Sequence, residues 1–166
     1  MKSLEPPDTH FLNAALGWLE LGNPLEASAE LENITPTLRS HPAVLELRWQ
    51  IFAKEKKWEA CVDIGEAMVK IAYDLPESWI HRSFALHELK RTKEAADKLE
   101  AAADLFPSIW TIPYNLACYA CVLGELAEAR EWLRDALDLA EDKKAAKLMA
   151  LEDPDLDRLW LEIGDI

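Results

Sequence analysis

Glycine is scarce in this chain, with five in 166 residues. None of the five falls in a G-x-G-x-x-G, a phosphate loop or a G-x-S-x-G pattern. Dinucleotide sites, phosphate loops and hydrolase elbows use such glycines to bring backbone against a ligand or to hold a strained turn, so no motif for those chemistries is present. Basic runs are also missing. Eighteen Lys and Arg stand against 31 Asp and Glu, a net charge of −13. A chain so acidic is repelled by nucleic-acid phosphates and by anionic membrane surfaces, and neither partner is expected. No apolar run approaches the roughly 20 residues that cross a bilayer. The opening MKSLEPPDTHF has neither an apolar core of signal-peptide length nor a small-residue cleavage site. Three cysteines without a secretory signal read as reduced thiols of a cytoplasmic protein.

What is present is helix. Half the residues are apolar, alanine is abundant and β-branched residues are few. Residues 1–8 hold Pro6 and Pro7 without apolar periodicity and read as a disordered start. Thr9 opens a helix that Gly22 closes. Asn23-Pro24 supplies an N-cap and a proline in the first turn. His41-Pro42 opens a third helix, and Pro76, Thr92 and Pro113 mark later starts. The nine prolines all fall at the N-terminus, at helix junctions or in first turns, where a helical chain tolerates them.

A repeat runs through these helices. Ala27, Ala60, Ala95 and Ala129 begin successive second helices at spacings of 33, 35 and 34. Four residues after each stands Leu31, Ile64, Leu99 or Leu133, and seven after each stands Ile34, Ala67, Ala102 or Ala136. A helix–turn–helix unit with a period near 34 resembles the tetratricopeptide repeat (TPR) family. Phe11, Ala15 and Trp18, then Trp79, Ser83 and Leu86, then Leu116 and Ala117 carry the resemblance on the first helices, with Gly22 and Gly124 at the turn and Pro107 at the close. The resemblance covers about residues 9–140, in repeats near 9–40, 41–75, 76–108 and 109–141. Residues 142–166 read as capping helices over the last repeat. The expected fold is all-α: a right-handed superhelical solenoid of about four repeats plus a C-terminal cap. Arg48, Arg82 and Ala120 depart from the family pattern. The two arginines read as packed stems with paired heads, or, for Arg82, as an anion anchor in the groove.

The resemblance implies a concave surface lined by first helices. Carried onto this chain, its positions are Leu12 and Leu16; Leu45, Trp49 and Phe52; Ile80, Arg82, Phe84 and His87; and Tyr114, Cys118 and Cys121. The face is apolar and aromatic, and such a patch serves binding unless the C-terminal cap or another subunit covers it. The basic clamp that grips chaperone C-termini is absent. Trp49 is the expected recognition anchor. Cys118 and Cys121 form a C-x-x-C inside a helix, away from the helix start that a redox pair needs and without a second pair for zinc. Small-residue packing explains them better. The expected function is therefore a non-catalytic scaffold that binds a peptide or helix of another protein, with no cofactor and no metal. A small acidic secretion chaperone is the alternative within that class, and a metal- or redox-active protein using Cys118 and Cys121 the alternative outside it. Self-association into a homodimer through the groove is a further outcome.

Overall fold

A computed structural model describes residues 3–164. Among them run nine α-helices: α1 (Asp8–Glu20), α2 (Pro24–Glu32), α3 (Pro42–Lys54), α4 (Trp58–Ile71), α5 (Pro76–Glu88), α6 (Thr92–Leu105), α7 (Thr111–Leu123), α8 (Leu126–Leu139) and α9 (Lys143–Glu152). Short 3-10 helices occupy Pro36–Leu38 and Pro154–Leu159. No strand occurs among the described residues, so the fold class is all-α, as expected. The starts follow local chemistry. The Asn23 side chain accepts from the Glu26 N–H, and the His41 ring accepts from the Ala43 N–H. Pro24, Pro42 and Pro76 sit where their missing N–H costs nothing.

The turns inside the repeats fix the register. Gly22, Lys56, Lys90 and Gly124 all have positive φ, and they stand 34 residues apart. The same interval picks out Ala27, Cys61, Ala95 and Ala129, each buried, and after them Leu31, Gly65, Leu99 and Leu133. The sequence reading slipped by one residue in the second repeat. Ala60 and Ala67 are only half-buried, and the inward residues of α4 are Cys61, Ile64, Gly65 and Met68. The slip has a physical source. Gly65 stands where the other repeats carry leucine, because α5 comes so close that a β-carbon at 65 would lie 2.7 Å from the Arg82 Cα.

The chain divides into two compact units, Met1–Ala85 and Leu86–Ile166. In the first, Ala15, Leu19, Ala27, Leu31, Ile34, Val44, Leu47 and Ile51 form one apolar core. Trp49, Cys61, Ile64, Met68 and Ala85 form a second. The expectation that residues 1–8 are disordered is overturned at Leu4 and Asp8. Asp8 is the first residue of α1 and is buried, its carboxylate accepting from the Thr35 N–H at 2.6 Å and the Thr35 hydroxyl at 3.0 Å. Leu4 packs on the same core, while residues 1 and 2 lie outside the described residues. In the second unit, Leu99, Ile112, Leu133, Leu137, Leu156 and Leu159 are buried in full. After the last helix pair come α9 and the 3-10 helix that follows it, where Leu156, Leu159 and Ile163 are buried.

Candidate partner-binding faces

The 34-residue register sorts the expected groove residues. Leu12, Ile80 and Tyr114 share one position, and the second repeat contributes Glu46 to it. Leu16, Phe84 and Cys118 share another, to which it contributes Gln50. His87 and Cys121 share a third with Ala53. Leu45, Trp49 and Phe52 are therefore one residue out of phase with the groove. Trp49 occupies the place of Ala15, Ser83 and Ala117, all buried, and is itself 8% exposed. Its ring stacks on His81 at 4.0 Å with an interplanar angle of 6°, and Phe84 meets it edge-on at 6.3 Å. Its indole N–H has no acceptor among the described residues. Trp49 is a core residue with its flat side on His81, and its burial leaves it no exposed face to act as an anchor.

Arg82 is likewise internal. Its side chain is buried, lies over the Trp79 ring at 5.0 Å and pairs with Glu66 of α4 at 3.4 Å. It does not line the open face, because the absent side chain at Gly65 leaves its place between α4 and α5. Arg48 follows the same packed-stem reading, reaching Glu32 at 2.8 Å with its stem partly covered. Arg39 shares that carboxylate at 2.7 Å.

In the first unit the groove positions remain open. Leu16 and Phe84 are 42% and 37% exposed, and Leu12 and Ile80 are half-buried. Between them in register, Glu46 Oε1 accepts from the Gln50 side-chain amide at 2.8 Å and from the His81 Nε2–H at 2.8 Å. Burial pushes the Glu46 carboxyl up, but the hydrogen bond and charge of His81 and the bond from Gln50 outweigh it, so it titrates below the usual carboxylate range. Beside Glu46 opens a cavity of about 550 Å³, walled by Pro42, Ala43, Met68 and Leu75 with Glu46 and Glu77 as its acidic groups.

In the second unit the corresponding positions are covered. His87, Tyr114, Cys118 and Cys121 are all buried, and the segment 153–163 makes the contacts. The Tyr114 hydroxyl donates to Asp153 Oδ2 at 2.9 Å, and the Cys118 thiol donates to the same oxygen at 3.6 Å. His87 Nε2–H donates to Asp155 Oδ2 at 3.0 Å, while Thr92 Oγ1 stands 3.1 Å from Nδ1. Asp153 also caps the 3-10 turn by accepting from the Asp155 N–H, and its carbonyl accepts from the Trp160 indole. Arg130 grips Glu162 through two bonds of 2.5 and 2.8 Å. Arg130 thus serves the covering segment.

The thiols are tuned away from reactivity. Burial pushes Cys118 and Cys121 up, the Asp153 and Asp155 carboxylates adding to the effect at Cys118. Burial alone raises Cys61 to about 11. A nucleophilic or metal-binding cysteine needs the opposite shift. Among the described residues no group of three or more His, Cys, Asp or Glu side chains is disposed to hold a metal ion. The sequence reading missed Glu46, Gln50, Asp153, Asp155 and Thr92 as residues of these faces. The positive-φ turns would have corrected the first two. The Asp-Pro-Asp turn reads locally as a helix start, and nothing in it announces that Asp153 meets α7 and Asp155 meets His87 at the end of α5.

No family model matches the chain, and no curated protein matches it in sequence. Solved structures do match in fold. MamA 41-end from Desulfovibrio magneticus RS-1 superposes with a TM-score of 0.74 at 18% identity, covering 98% of this chain and 96% of that one. A MamA RS-1 ArsTM double mutant gives 0.71 at 14% identity, over 82% and 76%. At such identities the likeness is one of fold, and the fold is that of a TPR-like, all-helical repeat protein.

Proposed function

We propose that the chain is a non-catalytic scaffold that binds a segment of another protein on the open face of its first unit. The carrying observation is the contrast between two sets of equivalent positions. Leu16 and Phe84 stay exposed beside Leu12 and Ile80, whereas Tyr114 and Cys118 are covered by the chain itself. Exposed apolar groups arranged along one face are the usual mark of a protein-binding surface. The TPR-like fold supports the reading, since such folds commonly serve as protein-interaction scaffolds. The fitting ligand is an amphipathic helix or extended peptide whose apolar side chains meet Leu16, Ile80 and Phe84. A Lys or Arg on it enters the cavity between Glu46 and Glu77, where its stem packs on Met68 and Leu75 and its head meets carboxylate. Three buried, unpaired cysteines suit a reducing compartment, and we place the protein in the cytoplasm.

The test is site-specific photo-crosslinking in the native host. A photoreactive residue at position 16 or 84 should give the same discrete adduct, and one at exposed Leu105 should not. Phe84→Asp should abolish the adduct formed from position 16. Equal labelling from position 105 would sink the proposal, and an adduct of twice the chain's mass would identify the partner as a second copy.

A further inference from the structure

The segment over the second unit is held as a ligand is held. Three donors converge on two carboxylates two residues apart: Tyr114 and Cys118 on Asp153, His87 on Asp155. Leu156, next in sequence, is buried in full. These donors are not a general property of the repeat. At the equivalent positions 34 residues earlier, Tyr114, Cys118 and His87 are replaced by Ile80, Phe84 and Ala53, none of which offers a side-chain hydrogen bond. Elsewhere in the register only Glu46 and Gln50 of the second repeat are polar at these positions, and they bond to each other and to His81. His87 is further set in place by Thr92 and by the Tyr119 ring at 4.9 Å. The segment itself has little local stability, being a six-residue 3-10 helix joined to α9 through Asp153 in extended conformation. The face it occupies supplies what holds it.

We propose that His87, Tyr114 and Cys118 form a receptor site for a carboxylate-bearing peptide of the form Asp-Pro-Asp-Leu, filled by residues 153–163 of the same chain. A partner protein presenting two carboxylates at that spacing, followed by leucine, enters by displacing the resident segment. This site is separate from the open face of the first unit and does not depend on it. Tethering holds the resident segment at an effective concentration of order millimolar. A free peptide at micromolar concentration therefore gains entry only when the resident carboxylates are weakened.

Cysteine accessibility reads the occupancy directly. Cys118 and Cys121 lie under the segment, while Cys61 is buried in the other unit and reports loss of structure elsewhere. In the full chain, all three should react slowly with a small maleimide, located by mass spectrometry. In Asp153→Asn/Asp155→Asn, which keeps side-chain volume, Cys118 and Cys121 should react about tenfold faster or more, the scale of a lost charge-assisted hydrogen bond. Cys61 should not change. A synthetic peptide of residues 152–164 should restore protection in that variant, and the same peptide with both aspartates replaced by asparagine should not. Tyr114→Phe, a conservative change, should weaken the rescue. The proposal is overturned if Cys61 accelerates in step with the other two, if Cys118 stays protected, or if both peptides protect equally.

Discussion

Single residues in this protein act through the space they leave or the donors they satisfy. Gly65 is the clearest case. Any side chain there meets the Arg82 backbone at 2.7 Å, and backbone of a packed helix does not yield as a flexible side-chain tip does. Gly65→Ala should therefore lose about 1–3 kcal/mol in urea unfolding, despite alanine's better helix propensity, through overpacking. Asp8 satisfies the Thr35 N–H and hydroxyl together. Asp8→Ala should cost about 1–3 kcal/mol by leaving those donors without their partner. Glu46 provides a pH signature. Its folded carboxyl titrates below the usual range, so its contribution is present above the ordinary carboxylate pKa and is lost as pH falls through the lowered value. Glu46→Gln should remove that part of the acid limb from a plot of melting temperature against pH. Residue roles were the least legible part of the sequence. Arg48 behaved as its chemistry suggests. Arg82 also follows the packed-stem reading, with its head on Glu66, and only its alternative place in the groove is lost, whereas Trp49 was misplaced by the one-residue slip of the second repeat.

At the scale of elements, the sequence was mostly transparent. Prolines and caps marked the starts of α2, α3 and α5, and glycines marked two of the four inner turns. The other two carry no glycine, because lysine takes the left-handed place. Lys56 and Lys90 have φ of 55° and 63°, conformations that cost a side-chain-bearing residue about 1–2 kcal/mol relative to a right-handed one. Glycine pays less there, so Lys56→Gly and Lys90→Gly should each raise stability by about 0.5–1 kcal/mol, whereas Gly124→Ala should lower it by a similar amount. A thermal melt series decides this, and Lys54→Gly, at the last residue of α3 where the backbone is still right-handed, should move in the destabilising direction. The register slip belongs to this scale too. In the second repeat the large and small residues are exchanged between helices: Trp49 stands where the others carry Ala or Ser, and Gly65 where they carry Leu. A pattern search for alanine followed by a large residue is drawn to Ala60 and Ile64, one step early.

For the molecule as a whole, charge and coverage decide what can bind. With a net charge of −13, a partner seated near Glu46 and Glu77 is attracted over a range set by the Debye length, about 8 Å at physiological salt. Association with that face should slow markedly between 50 and 500 mM salt, and dissociation should change little, as stopped-flow or surface-binding kinetics would show. The class of fold and the absence of nucleotide motifs were readable from composition and spacing. That one face would be open and its counterpart filled was not, since it depends on where residues 153–163 return after α9. The 34-residue interval between Gly22, Lys56, Lys90 and Gly124 also bears on modularity. Removing residues 42–75 takes out one whole period and rejoins the chain in phase. The graft would still misfit, because Arg82 would then face Leu31 in place of Gly65, a full side chain where none is accommodated. The repeats share a ruler but are not interchangeable parts, and any lengthened or shortened version of this array has to carry Gly65 and Arg82 together as a pair.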